Sequence, residues 1–284
     1  GFAASGGIDT GSGSAYVARS AGVDGLRLTT DLATNSAFAS IALDTFSGED
    51  GGPLRRLVAN FDGRNGRSAV VNDRLFALRG AVGGGFAGAM ASADLVGDGG
   101  VFPDGASTAP AFLSWGWWAG EAPAGAVSGC ADCATLDGVQ RLHLGVWIGG
   151  DATRPTDLPS SGVATYEGFA VVSAVKNDVG FVDGAGFRMN WDFGRSSGAA
   201  QFTDLLGTDA TVAVRRGGPS MFTGSGDIRI DGRMGRITLD GGFFNGPNSD
   251  PARATAGSLG VRTNDASINA AGVFGGGLTE LSSQ

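Results

Sequence analysis

Cys130 and Cys133, in the segment SGCADCAT, are the residues of this 284-residue chain best equipped for covalent chemistry. A thioredoxin-like redox pair needs a helix N-terminus to hold its thiolate, and the following ATLDGVQ breaks at Gly138 within one or two turns. A metal site needs two further ligands, which this Gly/Ala-rich loop does not offer. The pair reads instead as a local disulfide and as a hint of an oxidising compartment. His143 is the only histidine, so Ser-His-Asp chemistry has no other base and a multi-histidine metal centre is excluded. Axial ligation of haem by His143 is a lesser reading than a half-exposed strand residue beside Trp147.

Other signals are weaker. GGGFAG, Gly83 to Gly88, matches the G-x-G-x-x-G spacing of a dinucleotide fold, but that reading needs a crossover helix and an acidic residue further on. Among neighbouring β-like segments it reads as a turn. The carboxylates lie in DG, ND and TD turns, where Asp bonds its own backbone, and no pair suggests general acid/base work. Asp/Gly turns such as VGDGGVFPDG raise calcium as a minor reading, yet neither an EF-hand loop nor tandem Gly-rich nonapeptides occur. Trp115, Trp117, Trp118 and Trp147 would suit an exposed aromatic platform for a carbohydrate or protein, although core packing is the preferred reading. The chain is therefore expected not to be an enzyme and to carry no resident cofactor.

The elements that would position these residues are strands. Fifty-two glycines, 17 phenylalanines and no sustained apolar run at helix spacing point to an all-β chain of short strands and tight turns. Its length suggests roughly two domains. Twenty Lys and Arg against 28 Asp and Glu give a net charge of -8, without the basic footprint that nucleic acid requires. No run approaches the roughly 20 apolar residues of a membrane-spanning helix. The first residue is Gly1, not methionine, which reads as a trimmed or fragmentary chain.

The Gly/Ser-rich opening of about fifteen residues is expected to be mobile. Strand-like runs follow at 38–44, 57–62, 69–79 and 86–93. AFLSWGWWAG (111–120) and RLHLGVWIGG (141–150) suggest a hairpin whose long connection is clipped by the cysteines. In the second run Leu142, Leu144, Val146 and Ile148 share one face, opposite His143, Gly145 and Trp147. DATRPTDLPSSG, with its two prolines, is the linker candidate. This gives a sheet-rich domain over 1–150, a linker over 151–162 and a barrel over 163–284. Eight strand-like runs occur in the last part, at 164–174, 186–193, 200–206, 211–215, 220–230, 235–244, 255–262 and 267–274. Met189, Trp191 and Phe193 alternate with Arg188, Asn190 and Asp192, and Ile237, Leu239 and Phe243 repeat the pattern, as a filled small barrel demands. GVATYEGFAVV (162–172) would open this barrel, with Tyr166 and Phe169 on opposite faces and Gly168 allowing it to bend.

The order of motifs in this half resembles the C-terminal eight-stranded antiparallel barrel of bacterial transferrin-binding protein B and its relatives. The residues carrying the resemblance are Tyr166 and Gly168, Asp192 and Phe193, Phe222 and Gly224, Gly242 to Pro247, Ala256 and Gly257, and Phe274 and Gly275. It covers 162–284 and implies a handle-like, sheet-rich domain before the barrel. The acidic stretch often found after the Gly-Pro turn is NSDPARATAG here, and no lipid-bearing N-terminal cysteine is present. The resemblance implies a non-enzymatic binding protein of the bacterial outer surface or extracellular space, presenting loops to a protein partner or a small ligand such as haem. Attachment to the membrane would run through a lipid or a partner. The competing expectation is a structural or accessory subunit of a surface, matrix or other large assembly, suggested by Gly richness and abundant edge-forming strands.

Overall fold

The computed structural model describes the strand backbones within 2–150 and residues 151–282 apart from 177–178, with side chains described for 113–118, 145–176 and 179–282. Among these residues the chain is all-β, with one short 3-10 turn at Pro247–Ser249. Ten strands make the first sheet: β1 (Phe2–Asp9), β2 (Ala15–Ser20), β3 (Leu26–Asp31), β4 (Ser36–Thr45), β5 (Arg56–Asp62), β6 (Ser68–Val70), β7 (Phe76–Val82), β8 (Phe86–Ser92), β9 (Leu113–Pro123) and β10 (Val139–Gly150). Their order is β3-β4-β2-β1-β10-β9-β8-β7-β6, with β5 also on β4. Residues 2–9, read from composition as part of a mobile opening, form β1, paired between β2 and β10. A Gly/Ser-rich sequence gives little sign of such a strand because the backbone ladder, not the side chains, holds it.

The eight remaining strands close into a barrel in sequence order: β11 (Val163–Lys176), β12 (Val179–Asp192), β13 (Ser197–Leu205), β14 (Thr208–Arg216), β15 (Met221–Ile230), β16 (Arg233–Phe244), β17 (Ala254–Thr263) and β18 (Ile268–Ser282). Each overlaps one of the runs read from the sequence. From Ala185 to Trp191 on β12, and over much of β14 and β16, burial alternates residue by residue, as period-two side chains around an apolar interior must. The outward residues on β12 to β16 include Arg188, Asp209, Arg215, Asp227 and Arg236. That is the reverse of a lipid-facing barrel, whose outside is apolar. No helix among the described residues is long and apolar enough to cross a membrane.

β11 and β18 must coil tightly to close the ring, and glycine permits it. Gly168 pairs with Gly276, and a Cβ on Gly168 would stand 2.1 Å from the Gly275 carbonyl oxygen. On β11 the burial does not alternate: Tyr166, Ala170 and Val172 fill the interior, and Phe169 and Val171, on the outer face, are buried as well. β17 and β18 are likewise buried on both faces over most of their length. The first sheet covers this side, with β1, β2 and β10 lying against β17 and β18.

Candidate functional site

The barrel interior is a continuous aromatic core. Phe243 stands with ring centroids 6.0 Å from Tyr166, 5.3 Å from Trp191, 5.4 Å from Phe193 and 5.5 Å from Phe222. Phe222 links this group to Phe274, which packs on Phe187 and Phe202. Rings at these separations and tilts fill the lumen as a close-packed core does. The barrel interior is thus filled by its own side chains.

At one end the chain entering the barrel is latched to the turn after β16. The Asn245 side chain donates to Asp151 Oδ2 at 2.7 Å and accepts from the Thr153 hydroxyl at 2.9 Å, while Thr153 Oγ1 accepts from Ala252 N at 3.0 Å. Thr153 N donates to Phe243 O, so residues 151–153 are fixed in place. The Tyr166 hydroxyl donates to Ala252 O at 2.9 Å, and burial pushes its phenol well above the usual range despite the nearby Arg253 charge. Asn248, Ser249 and Ala252 all have left-handed backbone, with φ of 57°, 59° and 53°. This latch holds the loop in that conformation. Asn245→Ala should cost about 1–3 kcal/mol, because it leaves the buried Thr153 hydroxyl without its acceptor and removes the donor to Asp151. Urea denaturation measures this, and an unchanged midpoint would show that the latch contributes nothing.

The tryptophans lie at the join between sheet and barrel. Trp115 and Ile148 are register partners on β9 and β10 and face the barrel. The Trp115 ring lies 5.1 Å from Phe169, and a Cβ on Gly275 would stand 2.5 Å from Ile148 Cδ1. Trp118 and Trp147, on the opposite face of the hairpin, are fully buried too. An exposed platform over Trp115, Trp118 and Trp147 is thus not available, and packing is their use; Trp117 is half-buried.

The hairpin of β9 and β10 is present, but β10 carries a bulge between Leu142 and Gly145. It breaks the two-residue period there, so Leu142 does not extend the face of Val146 and Ile148. His143 sits in this bulge, and its side chain lies outside the described residues, as do Cys130, Cys133 and the VGDGGVFPDG segment. GGGFAG spans the connection of the antiparallel pair β7 and β8, with Val82 opposite Phe86, which is a hairpin and not a dinucleotide fold. Asp204, Asp209, Asp231 and Asp265 lie at strand ends or turns, and Asp265 takes the Ser267 amide and hydroxyl. Among the described residues no three His, Cys, Asp or Glu side chains are grouped so as to hold a metal ion. Glu167, the one acid of the opening barrel strand's motif, is exposed and paired with Arg188 at 2.9 Å.

Sequence reasoning missed one concavity. A cleft of about 370 Å³ opens on the outer face between β14, β15 and β16, lined by Ala213, Val214, Arg215, Thr223, Gly224, Ser225 and Thr238. Its sequence signal is a charge pattern: no acidic residue lies between Asp209 and Asp227 in a chain that is acidic overall.

No family model matches the chain, and no curated protein matches it. Among solved structures it is similar to the apo haemoglobin receptor HpuA from Kingella denitrificans, at 14% identity over 91% of this chain and 88% of that one, with a TM-score of 0.39. A double mutant of transferrin-binding protein B from Haemophilus parasuis Hp5 is similar at 12% identity over 95% of this chain, with a TM-score of 0.45. This chain covers 61% of that protein. A structure described as a surface lipoprotein is similar at 12% identity over 98% of both chains, with a TM-score of 0.40. The chain is thus similar to transferrin-binding protein B, the protein whose barrel its ordered motifs resemble.

Proposed function

We propose that this chain is a non-enzymatic binding protein of the bacterial cell surface, which uses its barrel as a rigid scaffold to capture a nutrient-carrying protein or haem. The observation that carries this reading is the aromatic interior around Phe243 and Phe222, which leaves the barrel no lumen for a substrate while the polar outer face of β12 to β16 stays exposed. Within this reading the chain divides into a sheet-bearing unit over 1–150, a connection over 151–162 and the barrel over 163–284. Cys130 and Cys133 form the local disulfide of the hairpin connection. Transferrin and haemoglobin, the cargoes named for the similar structures, are the first ligands to try, followed by free haem. Immobilised intact protein would be titrated with each of the two proteins, and haem followed by its Soret absorbance. Saturable binding of one of them supports the reading; no binding by any would count against capture of an iron carrier.

A second reading, a subunit of a surface assembly, is favoured by the first sheet, whose ladder does not close: β3 and β6 end its order and β5 pairs with β4 alone. It predicts self-association that grows with concentration, and sedimentation showing only monomer across a wide range would exclude it.

A further inference from the structure

The turn after β16 carries the one Asp-Pro pair of the sequence, Asp250–Pro251, with Asp250 exposed and Pro251 half-buried at the edge of the latch. Groups on both sides of that peptide bond are fixed. Gly246 N donates to the Asp250 carbonyl oxygen at 2.7 Å. Arg253 reaches back over the turn, and its Nε donates to Asp250 Oδ2. A Cβ on Gly246 would stand 2.7 Å from Arg253 Cγ and 2.8 Å from Arg253 Cβ, so a glycine here is what lets the arginine lie across the turn. Beyond the bond, Ala252 is pinned through its amide by the Thr153 hydroxyl and through its carbonyl by the Tyr166 hydroxyl. Ser249 and Ala252, on either flank, have φ of 59° and 53°, a left-handed backbone that is costly for any residue with a Cβ.

An aspartate before proline is chemically able to cut its own chain. Attack by its carboxylate on the carbonyl carbon of the same residue closes a five-membered ring, so nucleophile and target are already neighbours. The leaving nitrogen is that of a tertiary amide, which has no N–H of its own and departs as a secondary amine. This turn supplies what the step needs beyond that. Arg253 holds Oδ2, which leaves Oδ1 as the attacking oxygen. Gly246 N points at the oxygen on which negative charge develops, the place of an oxyanion donor. The exposed surface of Asp250 admits water and a solvent proton.

We propose that Asp250–Pro251 is a self-cleavage site of the folded protein. Asp250 Oδ1 attacks the Asp250 carbonyl carbon, and the C–N bond to Pro251 breaks as the proline nitrogen takes a proton from solvent. One water then opens the cyclic anhydride, leaving a C-terminal aspartate and an N-terminal proline. One water is consumed, and nothing is oxidised or reduced. The nicked chain stays assembled, because β17 and β18 keep their ladders to β16 and β11. The test incubates intact protein at about pH 5, above the ordinary aspartate range, beside the same protein in concentrated urea. Denaturing mass spectrometry follows the fragments 1–250 and 251–284, and native mass spectrometry the gain of one water by the assembled protein. Cleavage at least about tenfold faster in the fold than in urea is expected, within the scale of a single oxyanion donor. Asp250→Ala should abolish it. Arg253→Met should slow it about tenfold in the fold and leave the rate in urea unchanged, the mark of a positioning residue. An equal or slower rate in the folded protein than in urea, or an Arg253→Met variant that folds and cuts as fast as the parent, would overturn the proposal, because the bond would then be an ordinary Asp-Pro bond. Should Arg253→Met fail to fold, by circular dichroism, the parent's ratio of folded to urea rates decides alone.

Discussion

Phe243→Ala is expected to cost the barrel about 3–5 kcal/mol, a large share of the roughly 5–15 kcal/mol that separates most folded domains from their unfolded chains. The ring is 3% exposed and meets Tyr166, Trp191, Phe193 and Phe222, side chains from β11, the end of β12 and β15. Truncation removes its transfer energy and leaves a cavity that ring neighbours anchored on separate strands cannot collapse to fill. Phe243→Leu keeps most of the volume and should cost less than about 1.5 kcal/mol. Val179→Ala, at a side chain 66% exposed, should stay within about 0.5 kcal/mol of the parent. Urea denaturation of the three variants checks the ranking. If Phe243→Ala were as mild as Val179→Ala, the filled interior, and with it the exclusion of a luminal ligand, would be wrong.

The barrel was legible from sequence because much of its interior is written in a period-two pattern, clearest on the later part of β12 and on β16. Met189 and Trp191 on β12, Phe193 just after it, and Ile237, Leu239 and Phe243 on β16 all face inward, as their spacing implies. The sheet was less legible. β1 is built from FAASGGID, whose small residues fit a ladder or a loop equally well. At β10 one extra residue in a bulge defeats face assignment around His143, and a bulge leaves no mark in residue type alone. The cleft was missed for another reason: a concavity depends on how neighbouring side chains stand across three strands, and β14 and β15 look like ordinary alternating strands. Only the missing acids between Asp209 and Asp227 pointed there.

The join between sheet and barrel did have a sequence signal. In FAVV of β11, apolar residues occupy both faces, which a strand bathed in solvent on one side would not do. Phe169→Ala should therefore act on the join and not on the lumen. The Phe169 ring is 1% exposed and packs on Trp115 of β9, while its inward neighbours Gly168 and Ala170 are untouched by the change. The loss, about 3–5 kcal/mol for a buried phenylalanine, falls on the coupling between two bodies that each keep their own ladders. Calorimetry should then show the sheet melting ahead of the barrel, as two transitions where tight coupling gives one. Gly275→Leu reaches the same result by steric conflict, since its Cβ would stand 2.5 Å from Ile148 Cδ1 and the leucine must displace the hairpin. A single cooperative transition, merely shifted to lower temperature in both variants, would mean that the sheet has no stability apart from the barrel. Any loops that recognise a partner would then be held by one indivisible core, and a mutation anywhere in the lumen would disturb them as much as one at the join.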